Sequence, residues 1–353
     1  MQRRSFLSCA AAACAVLAFS QVDPAAAAGG QTKGEGAYRL SGPFAHENLA
    51  IYLVHGAAGG GPVPLTLQEA LEAGSFKVYE TSDVNELTVQ NLGERPVFVQ
   101  SGDIVKGGRQ DRVLTVSLIL PPKSNLVSIG AFCVEQGRWA ARGEERSDSF
   151  SSAAEALPSR AAKLAIKAPK SSTRISRAGD VSSRQQKVWD GVSEMQVKLE
   201  KSLGASVAAK ESPSSLQLAL EHERLQQSRA AYYDALHDIG LREPDVVGYV
   251  FAINGKVNSA DVYPSNGLFR KMWPKLLKAS AAEAISEGDG DRKAAPPSLP
   301  LVAGFLETAE RGRARRDKLA RHVELETREG DEAFFFESRS AGGDWVHRNY
   351  LAK

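Results

Sequence analysis

Gly102-Asp-Ile-Val-Lys-Gly-Gly-Arg-Gln-Asp-Arg112 opens the most informative stretch of this 353-residue chain, and Cys133-Val-Glu-Gln-Gly-Arg-Trp139 closes it. Between them lie two apolar runs, Val113 to Leu120 and Leu126 to Val134, separated by Pro121, Pro122 and Ser124. Leu114, Val116, Leu118 and Leu120 share one parity, and so do Val127, Ile129, Ala131 and Cys133. Alternation of this kind is the period of a strand with one buried face. Two strands joined by a short turn usually pair antiparallel. That pairing brings the Arg109-Gln-Asp-Arg112 turn and the Glu135-Gln-Gly-Arg-Trp139 segment to the same end of a sheet.

The residue types that would meet there are the working parts of an anion site. The guanidinium forks of Arg109, Arg112 and Arg138 suit phosphate or carboxylate. Gln110 and Gln136 can orient a ligand, Asp103 can add a polar contact, and Trp139 can stack on a base. Glu135 and Asp111 are the candidate catalytic pair, since desolvated carboxylates serve as general acid or base. Gly107, Gly108 and Gly137 would let backbone approach a ligand. The same residues also support a purely architectural reading, in which Arg112–Glu135 and Asp111–Arg138 ion pairs pin two loops.

The two segments together resemble the paired signature of a bacterial family, the ADP-ribosylglycohydrolase- and rhodanese/phosphatase-associated protein domain. The similarity runs from about Phe44 to Ile285 and takes in Val84-Asn-Glu-Leu87 and Val247 to Tyr263. Arg109 and Asp111 stand where that family often carries Lys and Asn. The resemblance implies genomic company with enzymes of ADP-ribose and phosphate chemistry. With the cluster, it leads to the expectation of a protein that binds a phosphate-bearing sugar or nucleotide sugar, such as an ADP-ribose derivative. Hydrolysis of that ligand stays open. The second reading is a non-catalytic periplasmic interaction module.

At the N-terminus, Gln2-Arg-Arg-Ser-Phe-Leu7 matches a twin-arginine export signal. An apolar run from Cys9 to Phe19 follows, then Ala26-Ala-Ala28 before Gly29. The run is too short and alanine-rich to span a bilayer well. A cleaved leader over residues 1–28 is expected, with the mature protein periplasmic or secreted and without a stable membrane anchor. The formal net charge is +2 and stays within one unit of that without the leader. A chain this neutral has no bulk attraction for nucleic acid or anionic membrane. Cys9 and Cys14 leave with the leader, so Cys133 has no disulfide partner in the chain and reads as a buried strand thiol.

The rest of the chain predicts an α+β protein: a β-rich N-terminal part, mostly antiparallel, then a helical C-terminal part containing hairpins. Residues 29–43 are a flexible lead. Residues 44–139 carry the strands and one short helix opened by the capping box Thr66-Leu-Gln-Glu69. Residues 140–183, rich in Ser, Arg, Lys and Ala and broken by Pro158 and Pro169, read as a mobile loop, either linker or lid. Residues 184–286 hold a Val188, Val192, Met195, Leu199, Leu203 stripe, a helix from Ser214 to Ile239, a hairpin around Asn254-Gly255 and a third helix with two apolar stripes. Residues 287–298 are a linker. Residues 299–353 give a helix running to Arg316 and a β-meander.

No cofactor motif is evident. The six histidines lack zinc-ligand spacing, and the glycine-rich stretch His55 to Pro62 lacks the Gly-Lys-Ser/Thr of a phosphate loop. An oxygen-only magnesium site from Asp103, Asp111 and Glu135 stays open.

Overall fold

A computed structural model describes residues 32–33, 38–57, 59–81, 83–137, 149–167, 174–288, 294–320 and 323–353. The expected leader lies outside the described residues, as do Arg138 and Trp139; the expected flexible lead 29–43 is instead strand at Thr32–Lys33 and from Arg39 on, because both segments find antiparallel backbone partners. The architecture is α+β with strands dominant.

The largest sheet draws on both ends of the chain. Its order runs Thr32–Lys33, Arg39–His46, Leu49–His55, Val246–Ile253, Lys256–Val262, Trp345–Ala352, Ala333–Ser340, Val323–Glu329 and Arg313–Ala320, every neighbour antiparallel. The hairpin predicted at Asn254-Gly255 is there, with φ of 49° and 74° at the two turn residues. The expected helical C-terminal part is therefore only half right: after residue 312 the chain is all strand among the described residues. The helix predicted to reach Arg316 is Leu299–Glu310. Gly312 lies against Glu329, where an added Cβ would stand 2.6 Å from its carbonyl carbon. From Arg313 the chain pairs with Val323–Glu329, and its arginines meet cross-strand carboxylates such as Glu326, 2.7 Å from Arg316.

A six-stranded sheet carries the signature, in the order Phe150–Ala156, Asp103–Gly107, Arg112–Leu114, Val127–Cys133, Glu86–Asn91 and Phe76–Glu80. A small third sheet joins Leu118–Leu120, Val97–Val99 and Leu65–Thr66. The run Val113 to Leu120 is thus two strands in two sheets, broken at residues 115–117. The capping box holds: Thr66 Oγ1 accepts from Glu69 N while Glu69 accepts from Thr66 N.

Residues 140–183, expected as loop or lid, are mostly regular structure where they are described. Phe150–Ala156 is an edge strand on Asp103–Gly107, and Arg160–Lys167 is a helix. The composition misled because the apolar contacts here come from alanine. Ala153, Ala162 and Ala165 are buried, and Gly191 of the next helix lies so close that an added Cβ would sit 2.9 Å from Ala162 N. Small residues allow that backbone approach. The next helix, Arg174–Leu203, buries its predicted stripe of Val188, Val192, Met195 and Leu199 against Ile104, Val113, Phe132 and Val134. Each such side chain contributes about 1.5–3 kcal/mol of transfer free energy. The helix expected from Ser214 to Ile239 is broken into Leu216–Glu221, Glu223–Leu236 and Ile239–Arg242; His222 turns extended at ψ 131° and makes the first break, and the second falls at His237–Asp238. Both stripes of Asn266–Ser286 are buried, with Trp273 fully enclosed.

Candidate functional site

The register of the signature strands decides what meets what. Arg112 lies opposite Cys133 and Val113 opposite Phe132, antiparallel, and Val105 pairs Arg112 from the other side. Val134 N then donates to Asp111 O at 3.2 Å. The two signature segments are joined at one end of the sheet, as the hairpin pattern predicted. Gln110, Asp111 and Glu135 are 0% exposed and Arg112 1%. Four polar side chains on adjacent strand ends are thus removed from water together.

Arg112 is the hub. Its Nη1 donates to the Gln110 carbonyl at 3.0 Å and to Gln110 Oε1 at 3.3 Å, and its Nη2 lies 3.6 Å from Glu80 Oε2. Cys133 Sγ donates to the same Gln110 Oε1 at 2.8 Å. Burial pushes the Cys133 thiol up from its ordinary pKa, against the opposing pull of Arg112, so the thiol is held neutral and serves as a donor. Two N–H groups in this knot, Arg112 Nε and Gln110 Nε2, are buried with no acceptor. An unsatisfied buried donor costs about 1–3 kcal/mol, so an oxygen-bearing ligand that reached either one would recover that cost.

Other predicted residues take different places. Asp111 Oδ1 accepts from Gly107 N at 3.0 Å, which makes it the fastener of its own turn. Arg109 has an exposed side chain, and only its backbone N–H reaches inward, to Glu80 Oε1 at 2.9 Å. Gln136 is exposed and clipped to Ser214 through its backbone, Gln136 N to Ser214 Oγ at 3.1 Å and Ser214 Oγ to Gln136 O at 2.7 Å. Asp103 is outside the cluster. It sits four residues from Gly107 on the same strand, about 13 Å at the strand rise, and takes Lys275 Nζ at 2.6 Å and Gln100 N at 2.8 Å. Asp103, Asp111 and Glu135 therefore do not converge as magnesium ligands. Arg138 and Trp139 lie outside the described residues.

Two contributors carried no sequence signal. Glu80 ends the strand Phe76–Glu80 at the far edge of the sheet, and only the closed turn brings it to Arg112. Gln185, from the helix Arg174–Leu203, satisfies both backbone groups of Cys133: its Oε1 accepts from Cys133 N and its Nε2 donates to Cys133 O, each at 2.9 Å. Reading the signature glycines as room for a ligand also needs correction. A Cβ on Gly107 would stand 2.5 Å from Ser149 O, and one on Gly108 would stand 2.3 Å from the Phe150 ring and 2.6 Å from Glu80 Oε1. Both glycines make room for the protein itself. Gly137, at φ +85°, has nothing within 4 Å of that position.

An open pocket of about 250 Å³ lies beside the signature at Gln136, lined also by Trp189, Ser193, Gln196 and Ser214. Trp189 Nε1 lacks an acceptor. Elsewhere, His55, Glu243 and Asp245 bring potential metal-ligating atoms within 4.8 Å of one another. Arg39 Nη2 already fills that position, 2.7 Å from Asp245 Oδ2 and 2.9 Å from His55 Nδ1, so the group is an ion-pair knot. Among the described residues, no helix is long and apolar enough to cross a membrane.

The chain belongs to the ARG and Rhodanese-Phosphatase-superfamily-associated Protein domain family, whose model matches residues 37–351. No curated protein and no solved structure matches the chain.

Proposed function

We propose that this family member binds a phosphate-bearing sugar or nucleotide sugar, such as an ADP-ribose derivative, at the Arg112 cluster. The ligand reaches the cluster from the pocket beside Gln136 and Trp189. The carrying observation is the pair of buried N–H donors without an acceptor, Arg112 Nε and Gln110 Nε2. Donors held in a low-dielectric setting favour anionic oxygen. The family's association with ARG and rhodanese-phosphatase proteins is consistent with such a ligand. Gln110 orients, Arg112 supplies charge, and Trp189 offers an aromatic wall and a further N–H donor. If turnover accompanies binding, Glu135 is the acid/base candidate, since Asp111 is committed to its turn. A twin-arginine leader at Gln2 to Leu7 would place the mature protein in the periplasm or outside the cell.

A second reading is favoured by the near-zero exposure of the four central side chains. In it the cluster only holds its strands together, and the protein is a non-catalytic interaction module. Calorimetric titration of the mature protein with ADP-ribose, before and after Arg112→Ala, tests the choice. Saturable binding lost in the variant supports the site. No binding in the parent protein leaves the module.

A further inference from the structure

A second cavity lies away from the signature. It holds about 380 Å³, at the small end of the range for ligand pockets, and it opens on the opposite face of the helix Arg174–Leu203. Trp189, Ser193 and Gln196 face the signature pocket, whereas Gly191, Glu194, Met195 and Lys198 face this one. At 100° per residue these sets fall on opposite sides of the helix.

Its floor is polar and buried. Glu283 is 4% exposed and Asn258 7%. Glu283 Oε1 accepts from Arg160 N at 2.8 Å and from Asn258 Nδ2 at 3.1 Å, and its Oε2 accepts from Lys163 Nζ at 3.1 Å. Asn254 points its amide toward the same space: Nδ2 donates to Glu287 O at 2.7 Å, and Oδ1 has no partner. Leu164, Met195, Ile253 and Val257 provide an apolar wall. Lys198 is neutralised by Glu194 and Glu287, each at 2.7 Å. Arg160 and Lys256 stand differently. Both line the cavity; Arg160 Nη1 donates to Lys353 O at 3.1 Å, and neither side chain is paired with an Asp or Glu carboxylate among the described residues.

A ligand matched to this lining carries one anionic group for Lys256 and the Arg160 guanidinium, hydroxyls for Asn254 Oδ1 and the floor, and a C–H face for the apolar wall. We infer that this cleft binds a monosaccharide-sized anionic sugar, a sugar phosphate or a sugar acid, with Arg160 and Lys256 holding the anion and Asn254 and Glu283 reading hydroxyls. The inference does not depend on the Arg112 site.

The test is calorimetric titration of the mature protein with glucose 6-phosphate and with glucuronate, using glucose and inorganic phosphate as controls. At least one acidic sugar is expected to bind at one site, about tenfold or more tighter than either control, because hydroxyl and charge contacts act together. The acid that binds identifies the anion. Lys256→Gln and Arg160→Gln, both at solvent-accessible side chains, should each weaken binding about tenfold or more with an unchanged circular dichroism spectrum. Asn254→Gly retains the left-handed turn and should weaken binding of the acidic sugar without changing affinity for inorganic phosphate. Arg112→Ala should leave this binding intact, which separates failure here from failure at the signature. No binding of either acidic sugar, or parental affinity in both cation variants, would overturn the assignment.

Discussion

Gly108→Ala is the sharpest structural perturbation the signature offers. Gly108 sits at φ +58°, where a residue with a Cβ costs about 1–2 kcal/mol. The new methyl would also stand 2.3 Å from Phe150 Cζ and 2.6 Å from Glu80 Oε1. Phe150 must rotate or shift, which for an overpacked site costs about 1–3 kcal/mol. A total near 2–5 kcal/mol is therefore expected, a large share of the stability of an ordinary domain. Gly137→Ala is the internal control: at φ +85° with open space around it, it should cost only the backbone term, about 1–2 kcal/mol. Urea denaturation of both variants gives the two numbers. Phe150→Ala on the Gly108→Ala background should recover the steric part, giving a coupling of about 1 kcal/mol or more in a double-mutant cycle. Equal costs at Gly108 and Gly137, with no coupling to Phe150, would refute the claim that the Gly-Gly pair exists to seat the following strand.

Three further outcomes are expected, two from the structure and one from the N-terminal sequence. Lys275→Met leaves the Asp103 carboxylate buried without its 2.6 Å partner and should cost about 3–5 kcal/mol in urea melts, most of it recovered by adding Asp103→Asn. His347 is buried between Ser117 Oγ at 2.9 Å and Asp261 Oδ1 at 3.1 Å, the second contact too angled for an aligned hydrogen bond. Burial holds its pKa below the ordinary imidazole value even with Asp261 pulling it up, so on acidification the unfolded chain takes the proton first and stability falls as pH drops below about 6.5. His347→Gln should flatten that slope in melts run from pH 7.5 to 5. Replacing Arg3 and Arg4 with Lys should strand precursor in the cytoplasm, read by fractionation and immunoblot; normal secretion of the double variant would point to the general export route.

The legible parts of the chain were those with strong local periodicity or turn chemistry. The Leu126 to Val134 alternation, the Asn254-Gly255 turn, the Thr66 capping box and the apolar stripes of the two long helices all match the structure. What escaped depended on distant partners. Phe150–Ala156 is a strand because the backbone of Asp103–Gly107 is available to pair with it, and alanines suffice beneath a helix that approaches through Gly191. Arg313–Ala320 is a strand because Val323–Glu329 offers backbone partners and carboxylates. At the site, hairpin logic brought Arg112 to Cys133 and Glu135. It could not supply Glu80 or Gln185, which reach the cluster across 32 and 73 residues of chain. Asp103 was grouped with the site by sequence proximity, and strand rise separates it.

The central claim is that the uncommitted donors around Arg112 serve a phosphate-bearing ligand. Denaturant melts of the parent protein and Arg112→Ala, each with and without saturating ADP-ribose, test it most directly. A ligand-dependent stabilisation of the parent is expected to disappear in the variant, with a lost affinity of about 1.5–3 kcal/mol, the range for a hydrogen bond to a charged group. An identical response to ADP-ribose in the two proteins, or none in the parent, would contradict it.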